Sequence, residues 1–164
     1  MRKIKSLIIS TILLFITWIL LAGFAQQEII VGLITALVVS LIFHEKIMVL
    51  QDIKLGPKSF FFMIGYFFLF TAELIKSNLD VAQRVISPKL PINPGIVKVR
   101  TKLKTPLGRA FLANSITLTP GTLTVEMRDE FFYIHWIDIT KPDIDGATKS
   151  IVSKFENFLE VIFG

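Results

Sequence analysis

The chain has 164 residues, 52% of them hydrophobic, a net charge of +5 and no cysteine. That length allows one small domain, or a membrane part joined to a small soluble part. The missing cysteines exclude disulfide frameworks, thiolate metal sites and cysteine nucleophiles. Charge is spread unevenly: Glu28 is the only formal charge from Ser6 to Phe43, and there is none from Ser59 to Ala72. Cations gather at Arg2, Lys3 and Lys5, at Lys46, Lys54 and Lys58, and from Lys89 to Arg109. No nucleic-acid motif accompanies them, so they are read as residues flanking membrane segments.

Leu7 to Ala25 is almost wholly apolar and, as a helix, is long enough for the hydrocarbon layer. A signal peptide competes for Met1–Ala25, but a second apolar segment, Ile29 to Phe43, follows too closely to open a secreted domain. The polar break Gln26-Gln27-Glu28 between them predicts a tight helical hairpin. Thr17 and Trp18 are read as packing or interfacial residues, and Gly32 with Ala36 as a small-xxx-small pair that lets helices approach. His44-Glu45-Lys46 ends the second segment, and Gly56-Pro57 stops and restarts the chain.

The third segment, Ser59 to Ile75, holds Phe60, Phe61, Phe62, Phe67, Phe68 and Phe70. Aromatics on every face predict a helix surrounded by lipid and neighbouring subunits. Glu73 near its end is either a proton or cation relay within the membrane, or part of an emerging helix paired with Lys76, as are Asp80 and Arg84. Leu79, Ala82, Val85 and Ile86 continue as an amphipathic extension near the headgroups. Three crossings would put the basic clusters on opposite sides of the membrane, against the cation bias. One segment therefore does not cross, or the bias is broken at one end.

Residues 88–95, with Pro88, Pro91, Pro94 and Gly95, form a rigid extended linker. Ile96 to Arg100 alternates as a strand. Thr105-Pro106 starts a helix over 107–117. Leu123–Arg128 and Phe131–Asp138 form a hairpin about Asp129-Glu130, with Phe132, Ile134 and Trp136 on one face of the returning strand. Asp145 to Phe163 is a single amphipathic helix. The predicted fold is therefore an α-helical membrane part of two or three hydrophobic helices (1–87, at about 4–25, 28–44 and 58–86), then a small β-α-β-β-α domain of the α+β class over 96–164.

Catalytic chemistry is sparse. His44 and His135 are far apart, and neither has a ligand-like neighbour at metal spacing. No phosphate loop, dinucleotide fingerprint or nucleophile elbow occurs. Ser115 and Thr117 lack a base nearby in sequence. No enzyme activity, catalytic residue, metal or cofactor is expected. The most unusual run is Leu112-Ala113-Asn114-Ser115-Ile116-Thr117-Leu118-Thr119-Pro120-Gly121-Thr122. It is either a close-packed helix end whose Asn and Thr side chains cap backbone groups, or a docking surface for another chain.

This run, continued as Ala113–Thr124, resembles the signature of the E-type subunit of the multi-subunit Na+/H+ antiporters of the Mrp/Mnh type. The same subunit type occurs in archaeal membrane-bound hydrogenases and related sulfur-reducing complexes. The resemblance covers nearly the whole chain. It implies an accessory subunit of the cell membrane, multi-pass, with its soluble domain in the cytoplasm and other polytopic subunits and lipid as partners. Ion and proton paths would run mainly through larger subunits. Asn114, Thr117, Thr119, Pro120, Gly121 and Thr122 then take a structural or assembly role. Glu73 lies outside the signature, so its relay role is a separate hypothesis. A third is a membrane-anchored module whose basic 89–109 stretch grips anionic lipid or an unrelated protein.

Overall fold

The computed structural model describes residues 2–43, 50 and 52–164, so His44, Glu45 and Lys46 lie outside the described residues. The chain forms two compact units, Met1–Ile53 and Lys54–Gly164.

The first unit is a pair of helices, α1 (Arg2–Ala22) and α2 (Gln26–Ile42), packed against each other. The break between them is Gly23-Phe24-Ala25, not the polar trio that the sequence pattern suggests. Gly23 turns left-handed, with φ +93°, a conformation glycine adopts without a Cβ clash, and its amide donates to Ile19 O at 2.9 Å. Gln26, Gln27 and Glu28 instead form the first turn of α2. Polar side chains suit that turn, because its free amides and the helix dipole favour a carboxylate there.

Gly32, Ala36 and Ser40 are the buried stripe of α2. The small pair thus extends by one further step, to Ser40, whose hydroxyl accepts from Ser10 Oγ at 3.1 Å. Trp18 lies directly over Gly32: a Cβ there would run into the indole Cδ1. Outward, Leu20, Leu21, Ile30 and Ile34 are exposed, as expected of side chains that face hydrocarbon.

The second unit opens with α3 (Pro57–Ile86), followed by β1 (Gly95–Arg100), α4 (Pro106–Leu118), β2 (Thr122–Arg128), β3 (Phe131–Trp136), α5 (Ile144–Ala147) and α6 (Ser153–Phe163). The strands form one antiparallel sheet in the order β1-β3-β2. Val97, Val99, Phe132 and Ile134 are buried on one face of the sheet. With Leu112 and Ile116 of α4 and Phe155, Leu159 and Ile162 of α6 they make the core. An apolar helix stripe against one sheet face is the expected α+β solution. Thr105 caps α4 by accepting from Gly108 N, a contact worth about 1 kcal/mol. Asp129, at φ +49°, makes the hairpin turn.

Two expectations change here. The last helix is not continuous: residues Thr148–Val152 form a π-turn between α5 and α6, in which the Ser153 amide reaches back five residues to Thr148 O. The extra residue turns both Ile151 and Val152 inward. The Pro-rich stretch, expected as a rigid extended linker, instead turns and is tied to the sheet. Leu90 turns left-handed at φ +39°, Asn93 N donates to Ile137 O at 3.1 Å, and Ile139 N donates to Asn93 O at 2.9 Å. The connector is stitched to the end of β3, which stops at Trp136.

α3 also departs from the all-round lipid reading. Ser59, Phe62, Tyr66, Phe70, Glu73, Ser77, Val81 and Arg84 recur at helical spacing and are buried or half-buried. Phe62 meets Phe158, and both Tyr66 and Phe70 meet Phe155, with ring centroids 5.6, 6.5 and 6.4 Å apart. One face of α3 is therefore covered by α6. Phe60, Phe61, Phe67 and Phe68 on the other side stay exposed. Phenylalanines on both sides of the helix hide this division from a periodicity count.

A candidate site between α3 and the α+β core

Charged side chains of α3 and the signature turn share one open cleft of about 220 Å³. Glu73, Lys76, Ser77 and Asp80 line it from α3; Thr119, Pro120 and Thr122 line it from the turn after α4; Trp136, Ser150 and Lys154 complete it. Glu73 is remote from the signature in sequence. The fold brings them together, because α3 runs past the C-terminal end of α4.

Within the cleft the two carboxylates of α3 are paired. Lys154 Nζ donates to Glu73 Oε2, so Glu73 takes a partner from α6 and not the expected Lys76. Asp80 and Arg84 form the expected i,i+4 pair at 2.7 Å. Arg84 does more: Nη1 donates to Asp138 Oδ2 at 2.8 Å and to Pro91 O at 2.6 Å. One guanidinium thus joins the end of α3, the connector and the end of β3. The planar, multi-donor head of arginine suits such a three-way contact.

The signature residues divide in two. Thr119 Oγ1 donates to Ser115 O at 2.7 Å, and Thr122 Oγ1 to Ile116 O at 2.6 Å. These hydroxyls satisfy the orphan carbonyls at the helix end. Gly121 takes φ +92°, and its carbonyl accepts from Ile137 N at 2.8 Å. A Cβ there would lie 3.0 Å from Ile137 Cγ2, so both the turn and the close approach require glycine. Thr117 Oγ1 accepts from Thr124 N at 3.2 Å, tying the helix to β2. Asn114 is different. Its side chain is exposed and has no hydrogen-bond partner among the described residues. The capping reading therefore fits the threonines and not the asparagine.

Three contributors are not evident from sequence. Glu156 is buried, and its Oε1 accepts from Thr101 Oγ1 at 2.6 Å and from Lys102 N at 2.7 Å. Tyr66, a lone hydroxyl in the Phe-rich segment, hydrogen-bonds with Ser115 Oγ. Lys154 pairs with Glu73. Only Tyr66 carries a visible signal, as the phenol among phenylalanines. His135 is exposed on the open sheet face, and among the described residues no group of three or more His, Cys, Asp or Glu side chains is arranged to hold a metal.

Helices of bilayer length joined to a charged α+β body, with paired carboxylates where the signature and Glu73 meet, are the features of a membrane protein. Two described helices, Ile4–Ala22 and Pro57–Ile86, are long and apolar enough to cross a membrane, and Gln26–Ile42 is shorter. The family model described as Na+/H+ ion antiporter subunit matches residues 11–162, and the chain belongs to that family. It is 34% identical to the E1 subunit of the Na+/H+ antiporter of Staphylococcus haemolyticus over 155 residues, covering 88% of this chain and 91% of that one. It is 47% identical to the E subunit of the Na+/H+ antiporter of Alkalihalophilus pseudofirmus over 96 residues, 57% of this chain; that match spans only 60% of the relative's length. Among solved structures it is similar to a chain of the membrane-bound sulfane sulfur reductase, an archaeal respiratory membrane complex. The two share 41% identity and a TM-score of 0.85, over 96% of this chain and 99% of that one.

Proposed function

We propose that the chain is an accessory, non-catalytic subunit of a multi-subunit cation/proton antiporter module. It supports assembly of the module, and through it the movement of Na+ or another monovalent cation coupled to protons. Residues 1–87 are its membrane part, 88–95 the connector and 96–164 the aqueous domain, in the cell membrane with that domain on the cytoplasmic side. The observation that carries this reading is the pairing of charges in the cleft. Glu73 is held by Lys154 and Asp80 by Arg84, so both carboxylates of α3 that line the cleft serve the fold.

A second setting is favoured by the likeness to a chain of an archaeal respiratory complex: the same subunit type serving a hydrogenase-like assembly that contains an antiporter module. The role within the module is the same in both.

The test is purification through a tag on this chain, followed by reconstitution. The expected result is copurification with several polytopic subunits, and no Na+ or H+ flux from the chain alone in liposomes. Flux carried by the isolated chain overturns the reading.

A further inference from the structure

The covered stripe of α3 runs the full length of the helix. Ser59 Oγ donates to Val161 O at 3.2 Å near its start. Tyr66 rests on Phe155 midway. Arg84 reaches Asp138 in the last turn. The α+β body is therefore fixed alongside α3 from end to end. If α3 crossed the bilayer, that body would be drawn into hydrocarbon. Lys98, Arg100, Lys102 and Lys104 alternate outward along β1 and the segment after it, the first half-buried and the other three exposed. Charges of this kind are strongly disfavoured at bilayer depth.

We propose that α3 does not cross. It lies along one membrane surface, with its bare aromatic side in the boundary between headgroups and acyl chains and the α+β body on its aqueous side. The helix has 30 residues, about 45 Å at 1.5 Å per residue, well beyond a hydrocarbon core of about 30 Å. Its circumference is divided between a side that packs on protein and a side that leaves Phe60, Phe61, Phe67, Phe68, Ile75 and Leu79 exposed. Lipid is the occupant that suits this side. Phenylalanine and aliphatic side chains enter the acyl boundary in helices that lie in the membrane plane. Lys58 and Lys76, both exposed, can extend their ammonium groups to lipid phosphates. The placement also removes the orientation conflict. With α1 and α2 as the only crossings, the amino-terminal cations, Lys54 and Lys58, and the 89–109 cluster all fall on one side. The inference concerns topology and is independent of which ion the assembly transports.

The chain has no cysteine, so a single introduced cysteine is its one thiol. In membranes carrying the assembled complex, Leu55→Cys and Lys89→Cys should react with an impermeant maleimide from the same side, and Gln27→Cys from the other. Reaction of Leu55→Cys and Lys89→Cys from opposite sides overturns the proposal. Nitroxides at Phe61→Cys, Phe68→Cys and Leu79→Cys should report equal, shallow depths and open access to lipid-soluble oxygen. Depth that changes steadily along the helix overturns the in-plane placement. Exclusion of oxygen from all three positions overturns the choice of lipid and assigns the face to another protein chain.

Discussion

Glu156 on α6 holds Thr101, just past β1, through a 2.6 Å hydrogen bond from the threonine hydroxyl. The same carboxylate oxygen takes the Lys102 amide at 2.7 Å, and Glu156 is only 5% exposed. A buried carboxylate is tolerated when donors surround it. Glu156→Ala should lower the stability of the second unit by about 2 kcal/mol. Glu156→Gln should cost less, since its amide oxygen can still accept. Thermal unfolding of the solubilised chain, followed by tryptophan fluorescence, checks the order. An unchanged melt for Glu156→Ala would mean that the strand end is held by other contacts.

The hairpin of the first unit depends on Gly32. A Cβ at that position meets the Trp18 ring, and the indole must move for any other residue to fit. Gly32→Ala is expected to destabilise the pair by about 1–3 kcal/mol, and Gly32→Leu to separate the helices. The measurement is recovery of the chain in the purified complex, which should fall in that order. Trp18→Ala in the Gly32→Ala background should restore part of the loss.

Thr119 and Thr122 differ from Asn114 in what they touch. Thr119→Val and Thr122→Val should each lower the melting temperature of the solubilised chain, with a cost of about 1 kcal/mol per lost hydrogen bond. Asn114→Ala should leave the melt unchanged and reduce copurification of the other subunits. Loss of stability in Asn114→Ala without an assembly defect would remove its docking role.

Arg84→Lys keeps the charge but cannot reproduce contacts to Asp80, Asp138 and Pro91 O at once. Amide hydrogen exchange at Asn93, Ile137 and Ile139 should quicken in this variant, by about tenfold for each 1.4 kcal/mol lost. Arg84→Ala should quicken it further. Exchange elsewhere in β3 should stay close to that of the unmodified chain.

Glu73→Gln separates the two roles open to that carboxylate. It removes the ion pair with Lys154, which is partly solvated and so worth at most about 1 kcal/mol. Antiport by the reconstituted complex should persist with a slightly less stable second unit. Abolished transport with normal assembly would restore Glu73 as a relay.

Much of the α+β body is legible in the sequence because its physics is local. Thr105-Pro106 announces a helix start, and strict alternation separates Phe132 and Ile134 from Tyr133 and His135. The structure keeps all of these. What stays hidden depends on distant partners. Nothing near Glu156 in sequence marks it as buried, since Thr101 and Lys102 lie more than fifty positions away. The π-turn at Thr148–Val152 leaves a pattern that one α-helix fits almost as well. In α3 the aromatic excess masks which side is covered, and only the meeting with Phe155 and Phe158 reveals it. The signature run stands out as a motif, but its division into capping threonines and an outward asparagine requires coordinates.

The stitched connector has a mechanical consequence. Arg84 and the paired backbones of Asn93, Ile137 and Ile139 leave no hinge where the chain passes from α3 into the sheet. A roll of α3 about its own axis must therefore swing the whole sheet through the same angle. The body acts as a rigid pointer mounted on the helix. A rotation of α3 among its apolar neighbours becomes a displacement that grows with distance from the helix axis.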